Sequence, residues 1–585
     1  MKKTKIICTL GPSTDSDEVL RGMIEAGMNV ARFNFSHGTH ESHKATLERL
    51  KRIREEMGVH VGALLDTKGP EVRLKTFKEP LVTLQEGSLF TLSPHDIEGD
   101  EKGCSITHKS LAADVIVGTR ILLDDGLIEL HVHEIKGEDV VCEVKNTGVI
   151  KSNKGVNVPG VNLSMPYLNK KDIDDIVFGI ENDFDFIAAS FVSKAQDILD
   201  VRRILDSRKC GSIRIIAKIE NSEGVDNINE IVNVSHGIMI ARGDMGVEIE
   251  LSRLPSIQKK LIHYCYNMGK PAITATQMLE SMMVNPRPTR AEVNDVANAI
   301  YDGTSAVMLS GETAAGKYPV ETVRTMASIA VQTENEINYG QRMYRRRGSD
   351  MYHLGIADAL CHSTCMTASE IAADAIMTMS RSGETARLLS KYRPEQPIYA
   401  CVVDAHIARH LSLSWGVYPL VMPLMSTTDE ALKKSEKLLR KAGYVKSGDM
   451  LVIAAGLPVG ESGTTNMITV HLVGDSLING SGIGKGSAVG YTCVCRTEEE
   501  LFEKFKPGCI LVVPATTNNM LDYIRDCAAV ITEETGANSH AAIVGLTLGK
   551  PVIVGAIAAT RILSDNLHVS VEASHGVVHL LEKKE

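Results

Sequence analysis

Three features of the sequence predict an α/β chain whose first half closes into a (β/α)8 barrel, the TIM-barrel architecture. Between Lys5 and Glu312, eight short β-rich apolar runs alternate with amphipathic helical stretches. Charged and hydroxylated residues gather where those runs end, the rim from which such barrels draw their chemistry. The G-x-G-x-x-G fingerprint of an open doubly wound sheet is missing after the first run.

The candidate strands are Lys5 to Leu10, Asn29 to Phe35, Val61 to Asp66, Phe186 to Phe191, Ile213 to Glu220, Ile238 to Asp244, Pro271 to Gln277 and Ala306 to Glu312. The opening MKKTKIICTLGPS is basic then apolar, but its apolar run is too short for a signal core, so it reads as the first strand. The second run ends RFNFSH, which places Arg32, Asn34 and Ser36 on one face, with His37 next. The third ends LLDTKGPEVR and supplies Asp66, Thr67, Lys68, Glu71 and Arg73. Polar groups on an otherwise apolar strand must find partners, and a monovalent cation suits these oxygens.

Residues 71–166 break the rhythm. Alternating, glycine-punctuated segments such as ILLDDGLIELHV and VVCEVKNTGVI predict an inserted β-barrel domain, placed as a lid at the barrel mouth, with KGVNVPG as the return hinge. The fifth run, IRIIAKIENSEG, sets Lys218 and Glu220 two apart on one face, and the sixth, GIMIARGDMG, ends at Arg242, Gly243 and Asp244. A carboxylate at each of two neighbouring strand ends, with a lysine beside one, suits a divalent cation holding an oxyanionic or phosphorylated substrate. An ordinary ion pair beside a turn-capping aspartate is the alternative reading.

After the eighth run, Tyr318 to about Asn338 reads as a helix, followed by basic residues from Arg342 to Arg347 and a second α/β alternation up to Val473. Ser380 to Thr385 lies between a strand and a helix and is either a phosphate cradle or a plain cap. Gly and Ser dominate 474–490, which reads as a linker to a last α/β module. The expected plan is 1–70 with 167–343 as barrel, 71–166 as lid, 344–473 as α/β domain, 474–490 as linker and 491–585 as the final module.

Composition narrows the function classes. A hydrophobic fraction of 43% with 23% charged residues is that of a soluble globular protein, and the net charge of -10, spread without runs, offers no footprint for nucleic acid or membrane. Twelve cysteines in 585 residues are too sparse for a disulfide scaffold and point to reduced thiols in a cytoplasmic protein. Neither Cys361 with Cys365 nor Cys493 with Cys495 has the matching half of a zinc-thiolate site.

The stretches RFNFSHG, LLDTKGPEVR, KGVNVPG, IIAKIENSEG, MIARGDMGVE, PAITATQML, NPRPTRAE, NAIYDGT and VMLSGETAAGKYP closely resemble the pyruvate kinase family, over about Lys2 to Val473. The resemblance implies transfer of a phosphoryl group from phosphoenolpyruvate to ADP, giving pyruvate and ATP. At matching positions Glu220 and Asp244 would ligate Mg2+ or Mn2+. Lys218 would neutralise the transferring group, Arg73 would hold its phosphate, and Arg32 would line the substrate site. The Gly243 and Asp244 amides with Thr276 match the carboxylate site, and Thr276 either relays the enol proton or caps a helix.

Asn34, Ser36, Asp66 and Thr67 match the family's K+ site, and the acidic Glu71 resembles the potassium-dependent members. Asn34, His37, Arg73 and Lys194 match nucleotide contacts, although Ser193 precedes Lys194 where two basic residues are common, and Ala315 stands where animal members carry lysine. Ser305 replaces an acidic residue frequent in the family.

Thr378 to Thr385 and Gly460 to Asn466 resemble effector loops, with Ser380, Ser382, Gly383 and Thr385 placed to contact the phosphate of an allosteric effector. The family is usually a homotetramer. The last module, with ITEETGANSHAAIVGLTLGKPVIVG, resembles the mobile, swivelling phosphohistidine domain of enzymes that use phosphoenolpyruvate. His540 holds the phosphate-carrying place, while Asn538 replaces a threonine; a structural appendage is the competing reading. For the whole chain the competing readings are another magnesium-dependent barrel using enolate chemistry, and a phosphocarrier or phosphate sensor.

Overall fold

A computed structural model describes residues 1–346, 355–425, 427–446, 449–456, 465–474 and 476–581. The chain falls into two compact units, one of residues 1–369, 378–426 and 454–467, the other of 370–377, 427–453 and 468–585.

In the first unit eight parallel strands close a barrel, in the order the sequence predicts. They are Lys5–Thr9, Val30–Asn34, Gly62–Asp66, Phe186–Ala189, Arg214–Ile219, Gly237–Ala241, Ala272–Ala275 and Ala306–Leu309. The first strand closes on the last with Lys5 opposite Ala306. Both faces of each strand are apolar because both are covered. Ile6 and Cys8 pack outward against helices, while Ile7 joins Val30, Leu64, Ala188, Ile216 and Met239 inside the barrel. Continuing period two from those inner residues brings Arg32, Asp66, Ser190, Lys218 and Glu220 to the inner C-terminal rim.

The helices carry local start and stop signals. Helix Asp17–Ala26 begins at Ser16, whose side chain accepts from the Val19 amide, and ends at Gly27 with φ +119°. Helix Arg290–Asp302 begins with a Thr289–Glu292 capping box. Each such cap stabilises its helix by about 1 kcal/mol.

The β-rich insertion leaves the barrel after its third strand. Seven strands, Val72–Arg73, Leu89–Ser93, Gly103–Ser105, Arg120–Leu123, Ile128–Lys136, Asp139–Val144 and Gly155–Asn157, form one sheet over a core that includes Phe90, Leu92, Ile121, Leu130 and Val140. Asp124, Asp125 and Gly126 turn the chain between two of these strands with φ of 50°, 55° and 87°. Short Asp side chains tolerate that left-handed backbone.

Further along, strands Ala375–Ser380, Ile398–Val402, Val417–Val421, Met450–Gly456 and Thr465–Leu472 alternate with helices Glu384–Lys391, Ala405–Leu411 and Thr428–Lys441. Residues 457–464, most of the second expected effector loop, and Arg347 lie outside the described residues.

The second unit contains an eight-stranded sheet, and here the expected linker is corrected. Within 474–490, Ser476–Asn479 and Ser481–Ile483 are strands, and Ser487–Val494 begins a third. Gly480 and Gly482 serve close packing rather than flexibility. A Cβ at Gly482 would lie 1.6 Å from the Ala573 carbonyl oxygen, and one at Gly480 would lie 2.6 Å from that of Val554.

Candidate active site

Lys218, on the fifth barrel strand, is nearly buried, and its Nζ meets three oxygens: Ser190 Oγ at 2.7 Å, Glu220 Oε1 at 3.0 Å and Asp66 Oδ1 at 3.1 Å. Burial alone would lower its pKa, but the Asp66 and Glu220 carboxylates outweigh it and hold the ammonium charged. Arg32 fixes Asp66 from the other side, its Nε donating to Oδ2 at 2.6 Å while one terminal nitrogen donates to Thr9 Oγ1 at 2.9 Å. Burial opposes the charge on Asp66, yet Arg32 and Lys218 prevail and keep its carboxyl below the usual range. Arg32, expected at the substrate, binds Asp66 through Nε and Thr9 through Nη1.

Glu220 is fully buried. Its Oε2 accepts from the Phe191 amide at 2.6 Å, and Oε1 has no hydrogen-bond partner among the described residues, only the ionic contact with Lys218. Burial, reinforced by the Asp244 charge, pushes its carboxyl up to about 7 despite Lys218. Asp125, from the insertion's hairpin, is also raised, by burial and then by Asp124 and Asp244. Lys154 and Arg73 are already paired, with Asp124 at 2.7 Å and Glu71 at 2.7 Å. Arg32 and Lys218 balance Asp66 and Glu220, and the Lys154 and Arg73 charges that reach Asp125 are shared with Asp124 and Glu71, so Asp66, Glu220, Asp244 and Asp125 leave an excess of negative charge that a divalent cation relieves. The unpartnered Glu220 oxygen fits such an ion.

Thr276 and Gln277, beyond the seventh strand, adopt φ of +70° and +52°. Left-handed backbone at a β-branched residue is strained. Arg242 holds it there: its Nη2 donates to the Thr276 carbonyl at 2.6 Å while Nη1 pairs with Asp295 at 2.8 Å. Thr276 Oγ1 donates to the Ala275 carbonyl and accepts from the Gly243 amide at 2.8 Å. The amide expected to meet a substrate carboxylate is here satisfied by that hydroxyl, as in a helix cap.

Asn34 and Asp66 are register partners on adjacent strands, and the Asn34 side-chain oxygen accepts from the Ser36 amide. Thr67 Oγ1 accepts from the Ser190 amide at 3.2 Å. Arg73 extends from the insertion, donating also to the Asn153 carbonyl at 2.8 Å. Arg73, Asp125, Asp244 and the exposed Lys194 line one cleft of about 670 Å³. His37 is exposed at the end of the second strand.

Sequence reasoning missed Ser190, Phe191 and Asp125, and gave Arg242 no role. Ser190 was accessible by the same period-two step from Ala188 that exposes Lys218. Phe191 acts through a backbone amide at φ +55°, which its side chain does not advertise.

Away from the barrel rim, Ser380 Oγ accepts from the Gly383 amide at 3.0 Å, and Gly383, with φ +75°, opens helix Glu384–Lys391. The Arg387 guanidinium donates to the Ser382 carbonyl, and Thr385 Oγ1 lies 2.7 Å from Thr465 Oγ1. His540 is the first residue of helix His540–Leu548, with Nδ1 2.8 Å from Thr516 Oγ1 and Nε2 3.0 Å from Asn518 Oδ1.

A closed barrel with a cation-fitting carboxylate set, a buried lysine at its inner rim and an inserted β domain defines an enzyme that handles anionic substrates. Comparison with known proteins narrows that class. Residues 1–323 match the family model "Pyruvate kinase, barrel domain", 358–471 match "Pyruvate kinase, alpha/beta domain" and 505–576 match "PEP-utilising enzyme, mobile domain". The chain is 48% identical over 581 residues to a pyruvate kinase of Bacillus licheniformis, covering 99% of both chains. It is 48% identical over 580 residues to one of Geobacillus stearothermophilus, covering 99% of this chain and 98% of that one. A crystal structure of a pyruvate kinase from Cryptosporidium parvum superposes with a TM-score of 0.78 at 37% identity, over 81% of this chain and 96% of that one. The chain belongs to the pyruvate kinase family and is a phosphotransferase.

Proposed function

We propose that the inner rim centred on Lys218 performs the family's reaction, transfer of the phosphoryl group of phosphoenolpyruvate to ADP. The observation that carries this reading is the Lys218 ammonium, buried and held by Asp66, Glu220 and Ser190. Phosphoryl transfer needs positioning and charge stabilisation more than covalent chemistry, and Lys218 supplies a fixed positive charge where the group passes. Arg73 exchanges Glu71 and the Asn153 carbonyl for the substrate phosphate, and its fork suits that geometry. Glu220 and Asp244 hold Mg2+ or Mn2+, which when bound neutralises the phosphoryl oxygens.

Asn34, Ser36, Asp66 and Thr67 offer oxygen donors that suit K+. The substrate carboxylate takes the Gly243 amide from Thr276, freeing that hydroxyl to face the enol carbon and serve its protonation. Asn34, His37, Arg73 and Lys194 receive the nucleotide. Ser380, Ser382, Gly383 and Thr385 bind the phosphate of an allosteric effector, in a homotetramer working in glycolysis in the cytoplasm. No helix among the described residues is long and apolar enough to cross a membrane.

A coupled assay for pyruvate from phosphoenolpyruvate and ADP tests the reading. The wild-type chain forms pyruvate, and Lys218→Met lowers kcat by about 100- to 1,000-fold. Absence of pyruvate with the wild-type chain sinks the reaction; an unimpaired Lys218→Met sinks the role of the lysine.

A second reading concerns His540. Thr516 orients Nδ1 at a helix N-terminus, and Nε2, held by Asn518 Oδ1 at 3.0 Å, exchanges that contact for the phosphate it carries. Labelled phosphoenolpyruvate leaves acid-labile label on the wild-type chain and none on His540→Ala. Equal labelling of both rejects it.

A further inference from the structure

At the end of the barrel opposite the catalytic rim, Asp185 directly precedes the fourth strand and is fully buried. Helix Ala405–Leu411 lies against this base: a Cβ at Gly62, the first residue of the third strand, would stand 2.9 Å from Ser412 Oγ and 3.2 Å from the Arg409 carbonyl oxygen. His406 and His410 are four residues apart on that helix and therefore share a face. Their ring centroids are 4.3 Å apart. One donor atom each from Asp185, His406 and His410 lie within 4.8 Å of one another.

One nitrogen of each imidazole is left unsatisfied among the described residues. His406 Nδ1 and His410 Nε2 are buried and lack a hydrogen-bond partner among the described residues. His406 Nδ1 stands 3.6 Å from Asp185 Oδ1, beyond hydrogen-bond range. His410 itself is 9% exposed, so water does not satisfy it freely. Asp185 is oriented by its surroundings: Oδ1 accepts from Arg409 Nε at 2.8 Å, Oδ2 accepts from the Ala63 amide at 2.8 Å, and Arg54 lies 3.8 Å away.

We propose that Asp185, His406 and His410 form a binding site for a divalent transition metal of the zinc class, fastening helix Ala405–Leu411 to the base of the barrel. Two imidazole nitrogens and one carboxylate are a donor set that zinc accepts, with water in the fourth position. Bonds of about 2.0–2.1 Å bring tetrahedral ligand atoms to about 3.3 Å from one another, so modest side-chain rotation from the present spacing closes the site. Arg409 and Arg54 share the charge of Asp185, which disfavours Mg2+ and Ca2+, whose ligands are oxygens, and leaves selection to the imidazoles. The same helix carries Ile407 and Leu411, each 3.2 Å from a Cβ placed at Gly383. Metal binding thereby braces the Ser380–Thr385 loop as well as the barrel.

The experiment uses the full chain, freed of metal by chelator and dialysed, with excess Mg2+ added to occupy the catalytic carboxylates. Zn2+ is then titrated with metal analysis after desalting, and Co2+ is titrated with visible absorption. The proposal expects one zinc retained per chain and a Co2+ spectrum of tetrahedral intensity that Zn2+ abolishes. His406→Ala and His410→Ala weaken retention by about 10- to 100-fold, while Glu220→Gln retains the zinc. Pyruvate formation persists in both histidine variants. Unchanged stoichiometry in both variants overturns the site, as does a thiolate-to-cobalt charge-transfer band, which would assign the metal to cysteine. Should the variants fail to fold, the wild-type Co2+ spectrum decides: a weak octahedral spectrum, or none, rejects the proposal.

Discussion

Lys218 Nζ donates to Ser190 Oγ at 2.7 Å, and that hydroxyl donates in turn to the Thr67 carbonyl at 2.7 Å. The ammonium therefore rests on a neutral oxygen as well as on two carboxylates, and Ser190 decides where between them it sits. Ser190→Ala removes the neutral support and leaves the charge balance intact. It lowers kcat by about tenfold, a positioning effect, with the KM for phosphoenolpyruvate changed much less. A larger effect on KM than on kcat would place Ser190 in binding instead.

Glu220 is costly to keep ionised without a cation, because burial and Asp244 both oppose its charge. Glu220→Gln removes that cost and a metal ligand together. The Mn2+ concentration needed for half-maximal activity rises by about 10- to 100-fold, while the metal-free protein loses no thermal stability. Activation by Mn2+ at wild-type concentrations would remove Glu220 from the ligand set.

The potassium assignment is checked by omission. Turnover in Mg2+ with a non-coordinating organic cation falls about tenfold or more below that in Mg2+ with K+, and equal rates in the two conditions defeat the assignment of Asn34, Ser36, Asp66 and Thr67.

The barrel was legible because two signals agree at every strand: apolar runs of strand length, and polar residues just beyond their ends. Lys218 and Glu220 share a run, so their proximity needed no tertiary knowledge. Asp125 meets Asp244 only because the insertion brings it there, and local pattern does not encode that approach. The segment 474–490 misled because a glycine that is flexible and a glycine that admits a neighbouring backbone look the same in composition. Gly482, with Ala573 against it, is the second kind.

Arg242 binds the Thr276 carbonyl and Asp295 together and so holds strained backbone beside the rim. Lysine cannot reproduce the fork. Arg242→Lys lowers stability by about 1–3 kcal/mol and reduces kcat, and denaturant titration alongside steady-state kinetics measures both. Wild-type stability with reduced kcat would confine Arg242 to the reaction.

His236 gives the acid limb of stability. The Ile215 amide donates to its Nδ1 at 3.0 Å, so the folded chain requires that nitrogen unprotonated. Burial, and then the positive charges of Arg214, Arg202, Lys270 and Arg387, lower its pKa from 6.5 to about 3. The unfolded chain therefore binds a proton that the folded chain refuses. Stability from this group is complete above about pH 6.5 and is lost as the pH falls toward 3, at about 1.4 kcal/mol per pH unit. An asparagine side chain can accept from the Ile215 amide without titrating. His236→Asn accordingly flattens the dependence of unfolding free energy on pH between 6.5 and 4.5, with little change at pH 8. An identical slope in wild type and variant over that range would assign the acid sensitivity to other groups.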